Sequence, residues 1–423
     1  MNFNSFFIKT FGCKINQYET QALTEILIQQ NKHPVSLSKA EVIILNTCAV
    51  TQKAITDLKK EVNYLNTHFP EKKIVLVGCA CQVMGEKLAL WKGVNTVVPQ
   101  EKKFSFFQHT NINNVFSGIS DYFRARAVLK IQDGCSQKCA YCIVPFTRGR
   151  PISRKPEEIL NELKRLGTKN FQEITLSGIN LHQYGKDLAP RIDFWDLIDF
   201  LGKNFDFNKY PLRLRLSSLE PADLNEKAFR TLKKYDFICP HLHISLQSGS
   251  DVVLKKMGRG HYQAKDVLEF CNNLFQIWPE FGLGVDVVVG FPGETDEYFE
   301  ETCTVLHQLP LTYGHIFPYS PRPLTRAASF ADQVPLTIKK QRAFILRTII
   351  AQKKSDFLRK LLKLKFVQVI VENSRTGTTE HYVKVKFISP VNVPPRSLVL
   401  ANPIELRIDN FSWRKQASLV VKA

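Results

Sequence analysis

Residues Gly134–Cys142 read GCSQKCAYC and hold three cysteines, Cys135, Cys139 and Cys142, with no fourth nearby. A structural zinc site closes its shell with four ligands, usually from two Cys-x-x-Cys pairs. A disulfide framework uses an even number of cysteines in an oxidising compartment. Three thiolates in a tight loop hold three irons of a 4Fe–4S cluster and leave the fourth iron free to chelate a substrate. The competing reading is a zinc site completed by a distant cysteine such as Cys239.

The loop ends a short apolar strand, "AVLKIQ", and five more follow: "EITLSG", "LRLRLSS", "HLHISLQ", "GVDVVVG" and "GHIFPYS". Helical stretches separate them, so residues 127–320 fit a partial or complete β/α barrel with functional groups at the strand carboxyl ends. Upstream, three apolar runs each end in cysteine and lead into a helix: "SFFIKTFGC", "AEVIILNTC" and "KKIVLVGCAC". That alternation indicates a doubly wound parallel sheet whose loops share one edge. Cys13, Cys48 and Cys79 are therefore expected to converge as a second three-cysteine set. Residues 106–126 look like a polar linker. Lys339–Lys365 looks like a long basic helix, and residues 366–423 turn to short alternating strands, a small β-barrel.

Among the 423 residues, 44% are hydrophobic and 23% charged, which supports packed cores, while the net charge is +19. Lys339–Ala423 alone carries 18 basic and five acidic side chains, so the positive field is concentrated at one end. Such a field suits a polyanion, nucleic acid before membrane. In "HYVKVKF", Lys384 and Lys386 alternate with apolar residues and share the solvent face of one strand. No segment has the length of apolar residues a membrane span needs. The start, "MNFNSFFIKTFG", has no secretory pattern, so the cysteines are expected to be reduced and the protein cytoplasmic.

The Cys-x-x-x-Cys-x-x-Cys loop, with Tyr141 before its last cysteine, resembles the cluster loop of radical S-adenosylmethionine enzymes. Together with "TFGCKINQYE", "NTCAVT" and "VGC", and with "LSGIN", "RLSSLEP", "HISLQSGS", "VDVVVGFPGET" and "YSPRP" in order, the whole chain resembles the methylthiotransferases. The resemblance implies an N-terminal methylthiotransferase domain (1–105), a linker (106–126), a radical barrel domain of six βα units (127–365) and a TRAM-type RNA-binding β-barrel (366–423). It implies two 4Fe–4S clusters. One, on Cys135, Cys139 and Cys142, binds S-adenosylmethionine and yields a 5′-deoxyadenosyl radical. The other, on Cys13, Cys48 and Cys79, carries an exchangeable sulfur. An unactivated aromatic C–H has no acidic proton, so a radical in a dry pocket fits the task.

Strand-end residues are the expected cofactor contacts: Gly178 and Asn180, Ser217 and Glu220, Gln247, Gly290 and Glu294, with Tyr141 packing on the adenine. Arg148 is expected to pair with a carboxylate or phosphate. Cys81 stands where the family usually has alanine and reads as a small buried thiol. Cys239, Cys271 and Cys303 read as core. Leu324, Thr325 and Arg326 replace the family's Gly-Thr-Pro, which leaves that loop's path open. "TGTTEHYVKVKF" looks closest to the branch acting on N6-threonylcarbamoyladenosine next to the anticodon of tRNA. Other branches act on isopentenyladenosine or on a ribosomal-protein aspartate. An external one-electron reductant and a sulfur donor are implied. The rival from another class is a non-catalytic, zinc-containing RNA-binding protein.

Overall fold

The computed structural model describes residues 3–108, 116–411 and 414–423. The first unit is a parallel sheet of Ser5–Thr10, Val42–Thr47, Lys73–Gly78 and Val94–Pro99, with the two-residue strand His33–Pro34 at its edge. Val42–Thr47 is buried along its full length, because helices cover both faces, so a continuous apolar run suits it. In register, Thr10 pairs with Asn46 and Thr47 with Gly78. Three strands therefore end level, and the cysteines that follow them share one edge. Thr51 caps the next helix, Gln52–His68, by accepting the Ala54 N–H at 3.2 Å.

Six parallel strands form the central unit: Ala127–Lys130, Glu173–Ser177, Arg213–Leu216, His241–Gln247, Gly282–Val289 and Tyr313–Pro318. They are two three-stranded sheets joined by the bridges Leu214–Ile238 and Leu219–Ile244, a partial barrel. All six strands expected from the sequence are present. The basic helix spans Leu336–Leu361, starting and stopping earlier than its charge run suggested. It packs on Tyr313–Pro318 and on the last strand of the chain.

The C-terminal unit is a closed barrel of five strands, one of which the alternating pattern does not show. The extra strand, Thr376–Thr379, is buried without large apolar side chains, so period-two hydrophobicity could not reveal it. Lys384 and Lys386 are exposed and Val385 and Phe387 buried, as the alternation required.

The segment expected to be a polar linker is built into the fold at both of its described ends. A helix, Lys103–Gln108, runs into its start with Phe107 buried. Ile119 and Tyr122 are buried further on, and Glu25 accepts the Ser120 N–H at 2.8 Å. Residues 109–115 of that expectation lie outside the described residues.

A buried ion cluster joins the first unit to the second. Glu19, on the helix Lys14–Gln29, pairs with Lys103 at 2.7 Å, Lys130 at 2.7 Å and Arg148 at 2.8 Å. Asp133 pairs with Lys130 at 2.6 Å and Arg148 at 3.0 Å. Burial alone would push the Glu19 carboxyl up. Arg148, Lys103 and Lys130 together hold it well below the usual carboxylate range. Glu19→Ala should cost about 3–5 kcal/mol in urea unfolding, because buried cations lose their partner. The folded-state carboxyl is depressed, so its contribution is present above about pH 4.3 and lost as pH falls through that range. The stability gap between the wild type and Glu19→Gln should accordingly narrow on acidification.

Candidate active site

Gly12 and Asn16 draw Cys13 and Cys48 together. Gly12 has φ +94°, and a Cβ there would sit 2.6 Å from the Cys48 Cβ, so only glycine allows the approach. The Asn16 side-chain amide donates to Phe11 O at 2.8 Å and Thr47 O at 2.9 Å, tying the two loops. Thr47 Oγ1 accepts the Ala80 N–H at 3.1 Å and brings in the third loop. The three thiols feel one another. Burial, with Cys13 and Cys79 adding to it, pushes Cys48 up to about 11, and burial also raises Cys79. Cys13 is exposed while its partners are buried, so the trio opens to one side.

The second trio follows the strand Ala127–Lys130. Cys135 Sγ accepts from Gln137 N at 3.4 Å and Asn180 Nδ2 at 3.5 Å, and Arg259 reaches Cys139 Sγ at 3.7 Å. Burial, reinforced by the neighbouring Cys139 and Cys135, raises Cys142 to about 12. Bonds from Ala140 N to Met257 O and from Ala327 N to Ala140 O, both 2.8 Å, fix the loop on the barrel rim.

The two trios belong to one junction. Cys79 opens the helix Cys79–Ala89, which packs on Val144–Arg148, the helix that follows Cys142. Arg148 does pair with carboxylates, those of Glu19 and Asp133, and its charge favours the thiolate forms of Cys48 and Cys79. Arg322 joins from the loop after the last barrel strand, donating to Gln52 Oε1 at 2.7 Å with Cys48 nearby. In that loop Leu324 takes a left-handed conformation, φ +70°.

Of the expected contacts, Asn180 touches both Gln137 and Cys135, and Ser217 is buried with no partner for its Oγ among the described residues. Tyr141 sits between two of the cysteines with its ring edge-on to Phe291, centroids 6.3 Å apart. Gln247 ends its strand at φ +63°. Three others have protein neighbours of their own. Both Glu294 oxygens accept the Gly290 N–H, at 3.1 and 3.0 Å, and Arg342 grips the same carboxylate at 2.7 Å. It secures its own turn. Gly290 is a turn residue at φ +67° with Lys339 packed where a Cβ would go. Gly178 is set by the approach of Gln132, 3.0 Å from where its Cβ would be.

Glu220 is bound to Arg259, which also donates to Ser245 O at 3.0 Å. Sequence reading missed Arg259, although its place in "GRG" after the fourth barrel strand was a signal. It also missed a carboxylate between two imidazoles: Asp286 accepts from His243 Nε2 at 3.0 Å and His315 Nδ1 at 2.9 Å. Period-two spacing on adjacent strands put them on one face. Cys81 is a buried thiol 3.7 Å from Thr47 Oγ1. Cys239, Cys271 and Cys303 are buried as expected. Cys239 precedes its strand, at the end of the parallel barrel opposite the Cys135 loop, so it cannot complete a zinc shell there.

Residues 129–306 match the model of the radical SAM superfamily, and residues 5–98 match uncharacterized protein family UPF0004. The threonylcarbamoyladenosine tRNA methylthiotransferase MtaB of Rickettsia prowazekii is 34% identical over 90% of each chain, and that of Bacillus subtilis is 31% identical over 89% of each. The tRNA-2-methylthio-N(6)-dimethylallyladenosine synthase of Syntrophobacter fumaroxidans is 34% identical over 82% of this chain and 80% of its own. Among solved structures, the radical S-adenosylmethionine methyltransferase TsrM from Kitasatospora setae superposes with TM-score 0.56 at 12% identity, covering 78% of this chain and 77% of its own, a likeness of fold. The fold and its two cysteine sets are those of a radical S-adenosylmethionine enzyme. The chain belongs to the methylthiotransferase family.

That family uses S-adenosylmethionine and 4Fe–4S clusters, and the donor sets fit them. Each trio is a set of neighbouring thiols, all but Cys13 buried or half-buried, whose ionised forms repel one another, a conflict that a cationic iron–sulfur core reverses. Around the trio of Cys135, Cys139 and Cys142, Asn180 and Arg259 offer hydrogen-bond donors to sulfur, not a fourth ligand. Arg259→Met should destabilise by about 3–5 kcal/mol in urea, since Glu220 is left as a buried unpaired charge. Adding Glu220→Gln should recover most of that loss, and equal costs for the single and double variants would exclude the pairing.

Proposed function

We propose that this chain methylthiolates C2 of N6-threonylcarbamoyladenosine beside the anticodon of tRNA, in the cytoplasm. The observation that carries the reading is the meeting of two three-cysteine sets at one junction, in a chain 34% identical across 90% of its length to a relative of that name. Work is divided along the chain: residues 1–105 hold the sulfur-donating cluster on Cys13, Cys48 and Cys79. Residues 127–365 hold the other cluster on Cys135, Cys139 and Cys142 with S-adenosylmethionine, and 366–423 grip RNA. Bound there, the cluster would supply the electron that cleaves the cofactor to a 5′-deoxyadenosyl radical.

The chain's own residues do the rest. Asn180 and Arg259 donate to cluster sulfurs, and Ser217, with an unpartnered buried hydroxyl, binds a cofactor polar group. Tyr141 and Phe291 exclude water beside the loop. An external one-electron reductant and a sulfur source complete the turnover. The exposed strand face of Lys384 and Lys386, beside the basic helix Leu336–Leu361, suits a phosphate backbone. A dimethylallyl substrate is the second reading, favoured by the similarity to the Syntrophobacter enzyme.

Anaerobically reconstituted protein with S-adenosylmethionine, a reductant and tRNA tests this by mass spectrometry of the digested nucleosides. Cys139→Ala should release no 5′-deoxyadenosine. Cys48→Ala should lose one cluster's iron, keep part of the cleavage and give no methylthio product; wild-type product from Cys48→Ala would refute the second cluster site. Replacing Lys384 and Lys386 by alanine should weaken RNA binding across sequences and reduce the salt slope by about 2.

A further inference from the structure

A cleft of about 600 Å³ opens where all three units meet, lined by Lys14, Arg124, Arg126, Lys384 and Arg396, with Glu372 as the lone carboxylate. Its deep wall is Tyr382, held at φ +64° by the β-barrel turn. Arg215, buried inside the partial barrel, fixes that turn by donating to Glu380 O at 2.9 Å and Thr379 O at 3.1 Å. Three cations surround the Tyr382 ring: Lys14 at 5.5 Å, Arg126 at 5.2 Å and Arg215 at 5.1 Å from its centroid. Two of them have carboxylates. Arg215 pairs with Glu173 at 2.7 Å, and Arg126 with Glu372 at 3.1 Å. Lys14 is half-buried, and none of the ion pairs among the described residues includes it. Val128 and Thr175, from two barrel strands, also line the cleft. Lys14 directly follows Cys13, so the wall stands one residue from the proposed sulfur-donating trio.

We propose that this cleft is the specificity pocket for the N6 substituent of the substrate base, and that it selects a substituent ending in a carboxylate through Lys14 and Arg126, with Tyr382 as a wall. The inference deepens the proposed function and rests on its placing the target base at the junction of the two trios. A threonylcarbamoyl group carries a carboxylate and a hydroxyl into a wall rich in donors. A dimethylallyl group would set apolar surface against a half-buried ammonium and strip its water without replacing it. Sites built to bond a polar group reject the analogue that lacks it more strongly than apolar pockets reject an extra group. Burial would push the Tyr382 hydroxyl up, yet Lys14, Arg126 and Arg215 together draw it below its usual range, which shows how positive the pocket is.

The test uses the full reconstituted chain and three anticodon stem-loop RNAs. They carry the threonylcarbamoyl adenosine, its neutral carboxamide, or dimethylallyladenosine. Equilibrium binding and methylthio product are measured for each. Wild type should bind the acid about 10- to 100-fold tighter than the carboxamide, the scale of one hydrogen bond to a charged group. Lys14→Gln should bring that ratio close to one with iron content unchanged, and Arg126→Gln should lower it as well. No preference in the wild type, or an undiminished preference in both variants, overturns the pocket. Product on the dimethylallyl RNA and none on the threonylcarbamoyl RNA overturns the proposed substrate instead, a separate outcome, since binding selectivity is read without turnover.

Discussion

The junction of the first two units depends on one buried carboxylate. Glu19 meets three cations from three different elements, and Asp133 takes up two of the same cations from the other side. None of these charges could stand alone in the interior, because an unpaired buried ion is far costlier than a paired one. The cluster is thus a geometric constraint as much as a source of stability. Its members lie in register only when the N-terminal sheet and the partial barrel are docked in this one way. Arg148 belongs to the cluster and also sits beside Cys48 and Cys79, so the same contact that docks the units tunes the thiols.

Each trio then becomes a consequence of strand ends. Parallel strands that finish level place their following loops on one edge, and the docking brings that edge to the rim of the partial barrel. The thiols are crowded enough to raise one another, a conflict that a cationic iron–sulfur core would relieve. Arg259, Asn180 and Gln137 put hydrogen bonds on the sulfurs, one of the means by which proteins set cluster potentials.

The barrel interior is more polar than a packed β/α core. Glu173 holds Arg213 and Arg215, Arg215 holds the turn that presents Tyr382, and Tyr313 links His241 and His243, at 2.9 and 2.8 Å. These groups come from alternate positions of the strands in each of the two sheets, and each sheet carries its own hydrogen-bonded group. The C-terminal barrel is therefore part of the cavity wall. RNA bound outside on Lys384 and a base held within would be joined through the same few residues.

Local patterns were enough to determine the elements and the chemistry: level apolar strands ending in cysteine, the Cys135 loop, six barrel strands and the alternating lysines. These depend on period and spacing, which neighbours in sequence control. The fifth strand of the small barrel escaped, since Thr376–Thr379 has no apolar period. The partners of Glu294, Gly178 and Gly290 were not legible, because a strand-end position says nothing of which neighbour, Arg342, Gln132 or Lys339, will lie against it. Glu19, Arg259, Lys14 and Tyr382 became visible only in three dimensions. A charge on a helix looks solvated in sequence, and only the packing of distant segments decides whether water or a counter-ion surrounds it.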